Sequence, residues 1–323
     1  MKKNIAIVTG GYSGESVISY KTAKTAFDHI DRDLFVPYFV DIRKDGWFGK
    51  VDEAEYLIDK NDFSFQYDGQ KVAFDCAYLA LHGTPGEDGK LQGYFDLIGM
   101  PYNTGNTLNL SVTFNKKFTT SVLGMMGFNV AKSLLFRKEE QLTAEQQINE
   151  KLSYPLFVKP NNGGSSIGIS KVNDAAALSA ALTKAFGEDS EIIVEEFITG
   201  REFTCGVAWY DGKAQALPVT EIITHNEFFD FNAKYEGNSE EITPANLPET
   251  ETRLVQSTAE AIYQALECKS IIRIDFIFGE KGIFVIEVNT IPGMSQASIV
   301  PQQLAKKGFP LTDVITQQIN RVL

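Results

Sequence analysis

Only three cysteines, Cys76, Cys205 and Cys268, occur in 323 residues, and they stand far apart without metal-ligand or redox-motif spacing. That excludes a disulfide framework and a cysteine-bound metal, and it reads as buried thiols in a reducing compartment. Long apolar runs are missing as well: no segment reaches the length a membrane-crossing helix needs, so no membrane association is expected. Lys2 and Lys3 run directly into Asn4-Ile5-Ala6-Ile7-Val8, with no apolar leader or cleavage site, and a cytoplasmic protein is expected. Positive charge is in deficit. The net charge of −12 repels nucleic acid at long range, but a pocket for a small anion needs only a few local lysines and a metal. Internal repeats and low-complexity tracts are also absent.

What remains is an ordinary globular composition, 43% hydrophobic and 22% charged, on a chain long enough for two or three packed domains. Short β runs alternate with helical stretches, the pattern of an α/β protein. An apolar strand over residues 4–9 ends in Gly10-Gly11, and a helix is expected from about Ser16. Strands over Phe35–Val40 and Cys76–Leu81 follow at the spacing of a parallel, doubly wound, Rossmann-like sheet, with His82-Gly83 at the carboxyl end where such sheets place ligand contacts.

The texture changes near Thr104. A helix near Leu108–Met126 is expected, then a strand at Phe128–Ser133, a polar helix at Glu139–Leu152 and strands at Leu156–Lys159 and Ile167–Val172 around a Gly/Ser loop. A helix at Ala175–Phe186 and a strand at Glu191–Phe197 complete a small α+β domain. Beyond Gly200 come strands Glu202–Tyr210 and Gln215–Ile223, a long connection over His225–Leu247, a helix at Glu249–Leu266 and a final hairpin. The expected domains are 1–103, 104–200 and 201–323.

That hairpin carries the strongest local argument. Alternation along Ile271–Phe278 and Ile283–Asn289 assigns Ile272, Ile274, Phe276, Phe278, Phe284, Ile286 and Val288 to apolar faces, and Arg273, Asp275, Glu287 and Asn289 to the opposite ones. A three-residue loop, Glu280-Lys281-Gly282, pairs Asp275 with Glu287, whereas a two-residue loop sends them to opposite faces. Opposed carboxylates repel, and a hard divalent cation resolves the conflict; an all-oxygen set favours Mg²⁺ or Mn²⁺ over Zn²⁺. The same residues also read as a solvated polar strand face with Arg273 paired to a carboxylate.

A second feature is Lys159-Pro160-Asn161-Asn162-Gly163-Gly164-Ser165-Ser166-Ile167-Gly168, whose N–H groups and hydroxyls suit phosphate oxygens. It lacks the Gly-Lys-Ser/Thr of a Walker loop, and strands flank it on both sides, unlike a dinucleotide fingerprint. As plain structure it is a hairpin tip. Lys159, leaving an apolar strand just before the loop, tilts the reading toward phosphate. The His225–Leu247 connection, with Phe228 to Tyr235, is long enough for a functional lid, and its aromatic content argues against disorder.

In order along nearly the whole chain, these segments resemble the ATP-grasp superfamily and, within it, the D-alanine–D-alanine ligases. The segments are Gly10–Glu15, Leu81–Gly83 with Gly86–Gly93, Lys159-Pro160 with Gly164–Gly168, Glu202–Thr204, Asp230–Tyr235, Arg273–Asp275, Glu287–Thr290 with Pro292–Met294, and Ser298–Pro301. The resemblance implies a three-domain ATP-grasp fold, ATP as co-substrate, two Mg²⁺ (or Mn²⁺) ions, D-alanine as substrate and a homodimer. It implies that Lys116 and Lys159 bind the α- and β-phosphates and Lys234 the γ-phosphate. Glu195, Ile198 and Glu202 would hold adenine and ribose, with Ser166 and Phe228 in the same pocket. Asp275, Glu287 and Asn289 would ligate the metals. Glu15 would take the ammonium of the first D-alanine, linked to Ser165 and Tyr235. Arg273 and the Gly293 N–H would face the oxyanion, His82 would lie on the substrate side, and Ser298 with Ile299 would receive the second substrate. The chain departs from the family's common pattern at Asn162-Gly163, where a charged pair is frequent, and at Glu196, where a lysine is frequent.

Overall fold

The computed structural model describes residues 2–164, 167–224 and 239–323, and among them the fold is built on three larger sheets and one two-stranded sheet, Phe65–Tyr67 with Gln70–Val72. The first has five strands in the order Ala54–Leu57, Gly46–Val51, Phe35–Arg43, Lys3–Gly10, Cys76–Leu79. The last three are parallel, as the apolar runs predict, while the first two add antiparallel to one edge. Ile5, Ile7 and Val8 are wholly buried because helices cover both faces of the parallel part. One covering helix comes from the far end of the chain: Ile315 and Ile319 of Leu311–Asn320 pack into the core formed by Ile5, Ile7 and Ala23.

The second sheet is four-stranded and antiparallel, in the order Ser170–Val172, Leu156–Pro160, Glu191–Glu196, Ser133–Arg137. Helices Gln141–Lys151 and Leu178–Glu188 bury Ala144, Ile148, Leu182 and Phe186 against it. The glycine-rich loop joins two of its adjacent strands. The expected single helix over 108–126 is two helices, Thr107–Phe114 and Lys116–Met125. Asn115 breaks it by turning extended and accepting the Phe118 N–H as an N-cap. The strand expected at Phe128–Ser133 begins only at Ser133; upstream, a single bridge ties Val130 to Val285.

The third sheet is antiparallel, in the order Ser239–Ile242, Thr220–Thr224, Arg201–Tyr210, Ile272–Gly279, Gly282–Asn289, with Lys213–Ala216 paired beside Arg201–Tyr210. The expected strand Gln215–Ile223 is thus two strands separated at Leu217-Pro218, since proline cannot donate to a ladder. Part of the long connection, Ser239–Ile242, is a strand. Helix Glu249–Ala265 covers one face through Val255, Ala259 and Ile262. Helices Ile299–Lys307 and Leu311–Asn320 follow the hairpin, where the sequence reading placed none.

The hairpin itself corrects the sequence reading. Gly279 pairs with Gly282, so the loop is the two-residue Glu280-Lys281. Asp275 nevertheless faces Glu287, because Ile286 is an extra residue between the pairs Phe276–Val285 and Asp275–Glu287. This β-bulge resets the alternation. The core side of the outer strand is therefore Ile283 and Val285, then Val288, while Phe284 and Ile286 face away from that core.

Candidate active site

The three sheets meet around a cleft of about 400 Å³. Glu15, at the start of helix Ser16–His29, reaches it from the first sheet. The loop main chain approaches this carboxylate so closely that a Cβ at Gly83 would lie 2.8 Å from its Oε2, and one at Gly164 would lie 2.6 Å from its Oε1. Gly83 also has φ +70°, so glycine is required there on two counts. Gly164, at the described near end of the glycine-rich loop, thus closes over Glu15, and Gly163 lines the cleft beside it.

His82 lies beside them, 7% exposed, with Nε2 2.9 Å from Thr22 Oγ1. Burial, then the positive Arg273, lower its pKa to about 4, so the ring is neutral at physiological pH. An unfolded imidazole takes up a proton as pH falls through about 6.5, and the folded one only near 4. The stability His82 supplies above pH 6.5 is therefore lost between 6.5 and 4, up to about 3 kcal/mol. A His82→Gln variant is expected to show a flatter melting temperature against pH in that window; the same slope as wild type would sink the assignment.

On the hairpin side, Arg273 grips Asp275 through Nε to Oδ1 and Nη2 to Oδ2, both at 2.9 Å, and lies 4.0 Å from Glu287. Thr204 donates to Asp275 Oδ1 at 2.5 Å, and Asn289 Nδ2 donates to Asp275 at 3.1 Å and Glu287 at 3.5 Å. Both readings of the hairpin thus meet in one place: Arg273 is paired, and of the opposed carboxylates Glu287 lines the cleft while Asp275 lies behind it on Arg273. Among the described residues no group of three or more His, Cys, Asp and Glu side chains is placed to hold an ion. Two carboxylates and one amide, all oxygen donors, fit a Mg²⁺-type ion only if a ligand supplies the remaining oxygens, the usual arrangement for nucleotide-borne Mg²⁺. Asn289 would have to present Oδ1 to such an ion.

Lys159 lies 12% exposed with Nζ 2.6 Å from Glu195 Oε2. Burial disfavours its charge, but Glu195, Glu287 and Glu202 outweigh that and raise its pKa above the ordinary lysine value. The central lysine, the candidate purine-side glutamates and the metal-side glutamate therefore share one field. Glu195 is already engaged by this lysine, and Ile198 lies just beyond its strand, half-buried. Lys116, first residue of its helix, donates to Gly163 O at 2.5 Å and lines the cleft. Gly293, Ser298 and Ile299 line the opposite wall. Ser298 is the N-cap of helix Ile299–Lys307, and its Oγ lies 2.8 Å from Ser295 Oγ. First-turn N–H groups there suit a carboxylate.

The structure thus gathers Glu15, His82, Lys116, Arg273, Glu287, Asn289, Gly293, Ser298 and Ile299 on one cleft, with Asp275 bound to Arg273 behind it. Ser165, Ser166, Phe228, Lys234 and Tyr235 lie outside the described residues. The sequence reading assigned no role to Thr22, Lys21, Glu87 or Glu241, of which the last three line the cleft. Glu87 stood inside a quoted motif. Lys21 sits in an unremarkable amphipathic helix, and no local signal marks it.

Residues 4–105 match the family model for the D-ala D-ala ligase N-terminus, and residues 122–320 that for the D-ala D-ala ligase C-terminus. A D-alanine–D-alanine ligase of Parabacteroides distasonis is 46% identical over 99% of this chain and 97% of its own. Among solved structures, a D-Ala:D-Ser ligase from Enterococcus faecalis superposes with a TM-score of 0.90 at 30% identity, covering 100% of both chains. A D-alanine–D-alanine ligase from Bacillus anthracis complexed with ATP gives 0.77 at 28% identity, covering 99% of this chain and 97% of that one. With both family models matched in sequence order and relatives aligned end to end, the chain belongs to the D-alanine–D-alanine ligase family of ATP-grasp enzymes.

Proposed function

We propose that this enzyme joins two D-alanine molecules into D-alanyl-D-alanine, cleaving ATP to ADP and phosphate, for cell-wall precursor synthesis in the cytoplasm. The observation that carries the reading is the Asp275–Glu287 pair, with Glu287 on the wall of a cleft whose other walls bring Glu15, Lys116 and the Ser298 helix start. Residues 1–103 would serve the substrates, 104–200 the nucleotide through the flap, and 201–323 the lid and metal; a homodimer is the expected assembly.

A free carboxylate is a poor electrophile, so the first D-alanine needs activation. Glu15 holds its ammonium and aims its carboxylate at the γ-phosphate, while Lys116 and Lys159 neutralise the phosphates. Mg²⁺ or Mn²⁺ held by Asp275, Glu287 and Asn289 would supply further charge neutralisation during in-line transfer. The γ-phosphoryl group moves to the carboxylate and gives a D-alanyl phosphate and ADP. The neutral amine of the second D-alanine, its carboxylate on Ser298 and the Ile299 helix start, attacks the carbonyl. Arg273, whose Nε and Nη2 are bound to Asp275, offers Nη1 with the Gly293 N–H to the oxyanion. Phosphate then leaves, taking up the proton that the attacking nitrogen gives up. Ser166 and Phe228 would join the nucleotide pocket and Lys234 the γ-phosphate, while Ser165 and Tyr235, linked to Glu15, would close flap and lid against water, which would hydrolyse the acyl phosphate.

The similarity to a D-Ala:D-Ser ligase favours one second reading, D-serine as acceptor. ADP release with ATP and Mg²⁺, with product mass read alongside, tests both. Release is expected with D-alanine but not L-alanine, with D-alanyl-D-alanine as product. Preferential mixed product with D-serine or D-lactate would move the acceptor assignment, and no amino-acid-stimulated release would overturn the ligase reading.

A further inference from the structure

Helix Ser16–His29 buries two hydroxyls that the chemistry above does not use, Ser19 at 0% and Thr22 at 2% exposure. With Glu15 just ahead of the helix they stand at i, i+4 and i+7, which is one helical face. Ser19 Oγ accepts the His82 N–H at 2.9 Å and donates to Glu15 O at 3.4 Å. Thr22 Oγ1 lies 2.9 Å from His82 Nε2 and accepts the Met294 N–H at 3.4 Å. One helix face therefore carries Glu15, holds His82 by both its main chain and its ring, and reaches the residue after Gly293.

A count of protons decides how the ring is held. Thr22 has one hydroxyl proton and is sealed from water. The Met294 N–H uses the hydroxyl as an acceptor, and among the described residues His82 Nε2 is the group bonded to it that can take its proton. Were Nε2 protonated, the hydroxyl would accept from both sides and leave its own proton without a partner in the interior, which is unfavourable. The ring is neutral, through burial and then Arg273, so its one proton sits on Nδ1. Nδ1 bonds to no described residue and is not closed off from solvent, and His82 lines the cleft. That leaves an N–H donor on the substrate side.

We propose that Thr22 is a positioning residue for the ligation step: its hydroxyl fixes His82 as the Nδ1–H tautomer and ties the Gly293–Met294 main chain to the helix that Glu15 begins. The inference rests on the ligase reading. The chain has only three histidines, so ¹⁵N-histidine spectra at neutral pH, assigned with His82→Gln, read the tautomer directly. Wild type is expected to show His82 protonated at Nδ1 with Nε2 as an acceptor. Thr22→Val removes the hydroxyl at nearly the same size and is expected to give a mixture of tautomers. Misplacing a reacting group by about 1 Å can cost roughly a hundredfold. The valine variant is accordingly expected to lose about 10- to 100-fold in kcat for dipeptide formation, with an ATP KM within about twofold of wild type. Thr22→Ser keeps the hydroxyl and is expected to restore the tautomer and bring kcat to within about fivefold of wild type. Thermal melting of each variant is read alongside. A wild-type ring protonated at Nε2, wild-type kcat in Thr22→Val, no gain of serine over valine, or a loss that only tracks a reduced folded fraction would each overturn the positioning role. Wild-type enzyme that makes no dipeptide would instead overturn the ligase reading, and the tautomer is readable whether or not dipeptide forms.

Discussion

Replacing Glu287 with glutamine is expected to lower D-alanine-dependent ADP release by about a thousandfold, roughly 4 kcal/mol of transition-state stabilisation, while leaving the fold unchanged. Glutamine preserves the shape and the contact with Asn289, so what is removed is one negative charge opposite Asp275. In the unliganded protein that charge is a liability: the two carboxylates stand directly opposed, with Arg273 bonded to Asp275 and 4.0 Å from Glu287. Melting temperature without Mg²⁺ should therefore stay level or rise slightly, since like charges opposite one another destabilise a strand pair. The stabilisation by Mg²⁺ with nucleotide should shrink. This crossed pattern separates a metal ligand from a structural glutamate, whose loss would lower stability and leave the Mg²⁺ response intact. Activity within about tenfold of wild type would rule out the metal role.

Lys159→Met is expected to abolish measurable turnover and also to cost about 3–5 kcal/mol of stability, because it strands Glu195 without its partner in a buried setting. Stability and activity should separate in the double variant Lys159→Met/Glu195→Leu. Replacing both members of a buried pair with apolar groups is often neutral or stabilising, so the melting temperature should recover while turnover does not. Recovery of turnover in the double variant would mean that the lysine serves only to neutralise Glu195. Unchanged stability in the single variant would mean that the 2.6 Å pair contributes nothing.

The sequence made the site's residue types legible more readily than its geometry. Asp275 opposite Glu287 was foreseen, but through a three-residue loop that does not exist; the bulge at Ile286 does that work, and no composition signal marks it. The parallel strands Lys3–Gly10, Phe35–Arg43 and Cys76–Leu79 were plain because continuous apolar runs report burial on both faces. The division of the 107–125 helix at Asn115 was not, since the break depends on a side-chain cap rather than on helix-breaking residues. Helix Leu311–Asn320 did carry a signal, with Val314, Ile315, Gln318 and Ile319 buried at helical spacing, but its burial partners are Ile5 and Ile7 at the opposite end of the chain. Glu87 illustrates the harder limit. Its partner is the main-chain N–H of Gly83, which leaves no residue type to read.

The bulge at Ile286 also changes what counts as an intact enzyme. From the hairpin tip to Val285, odd-numbered residues of the outer strand face the core; beyond Ile286, odd-numbered Glu287 and Asn289 face the cleft. Were Ile286 to pair with Asp275 in a regular ladder instead of bulging, Glu287 and Asn289 would fall opposite Ile274 and Ile272 and turn into a hydrocarbon interior. A protein in that register would retain every candidate ligand and every motif, and an inventory of site residues would pass it as functional. The register that sets Asp275 opposite Glu287 is therefore as diagnostic of activity in a relative as the identities of those two residues.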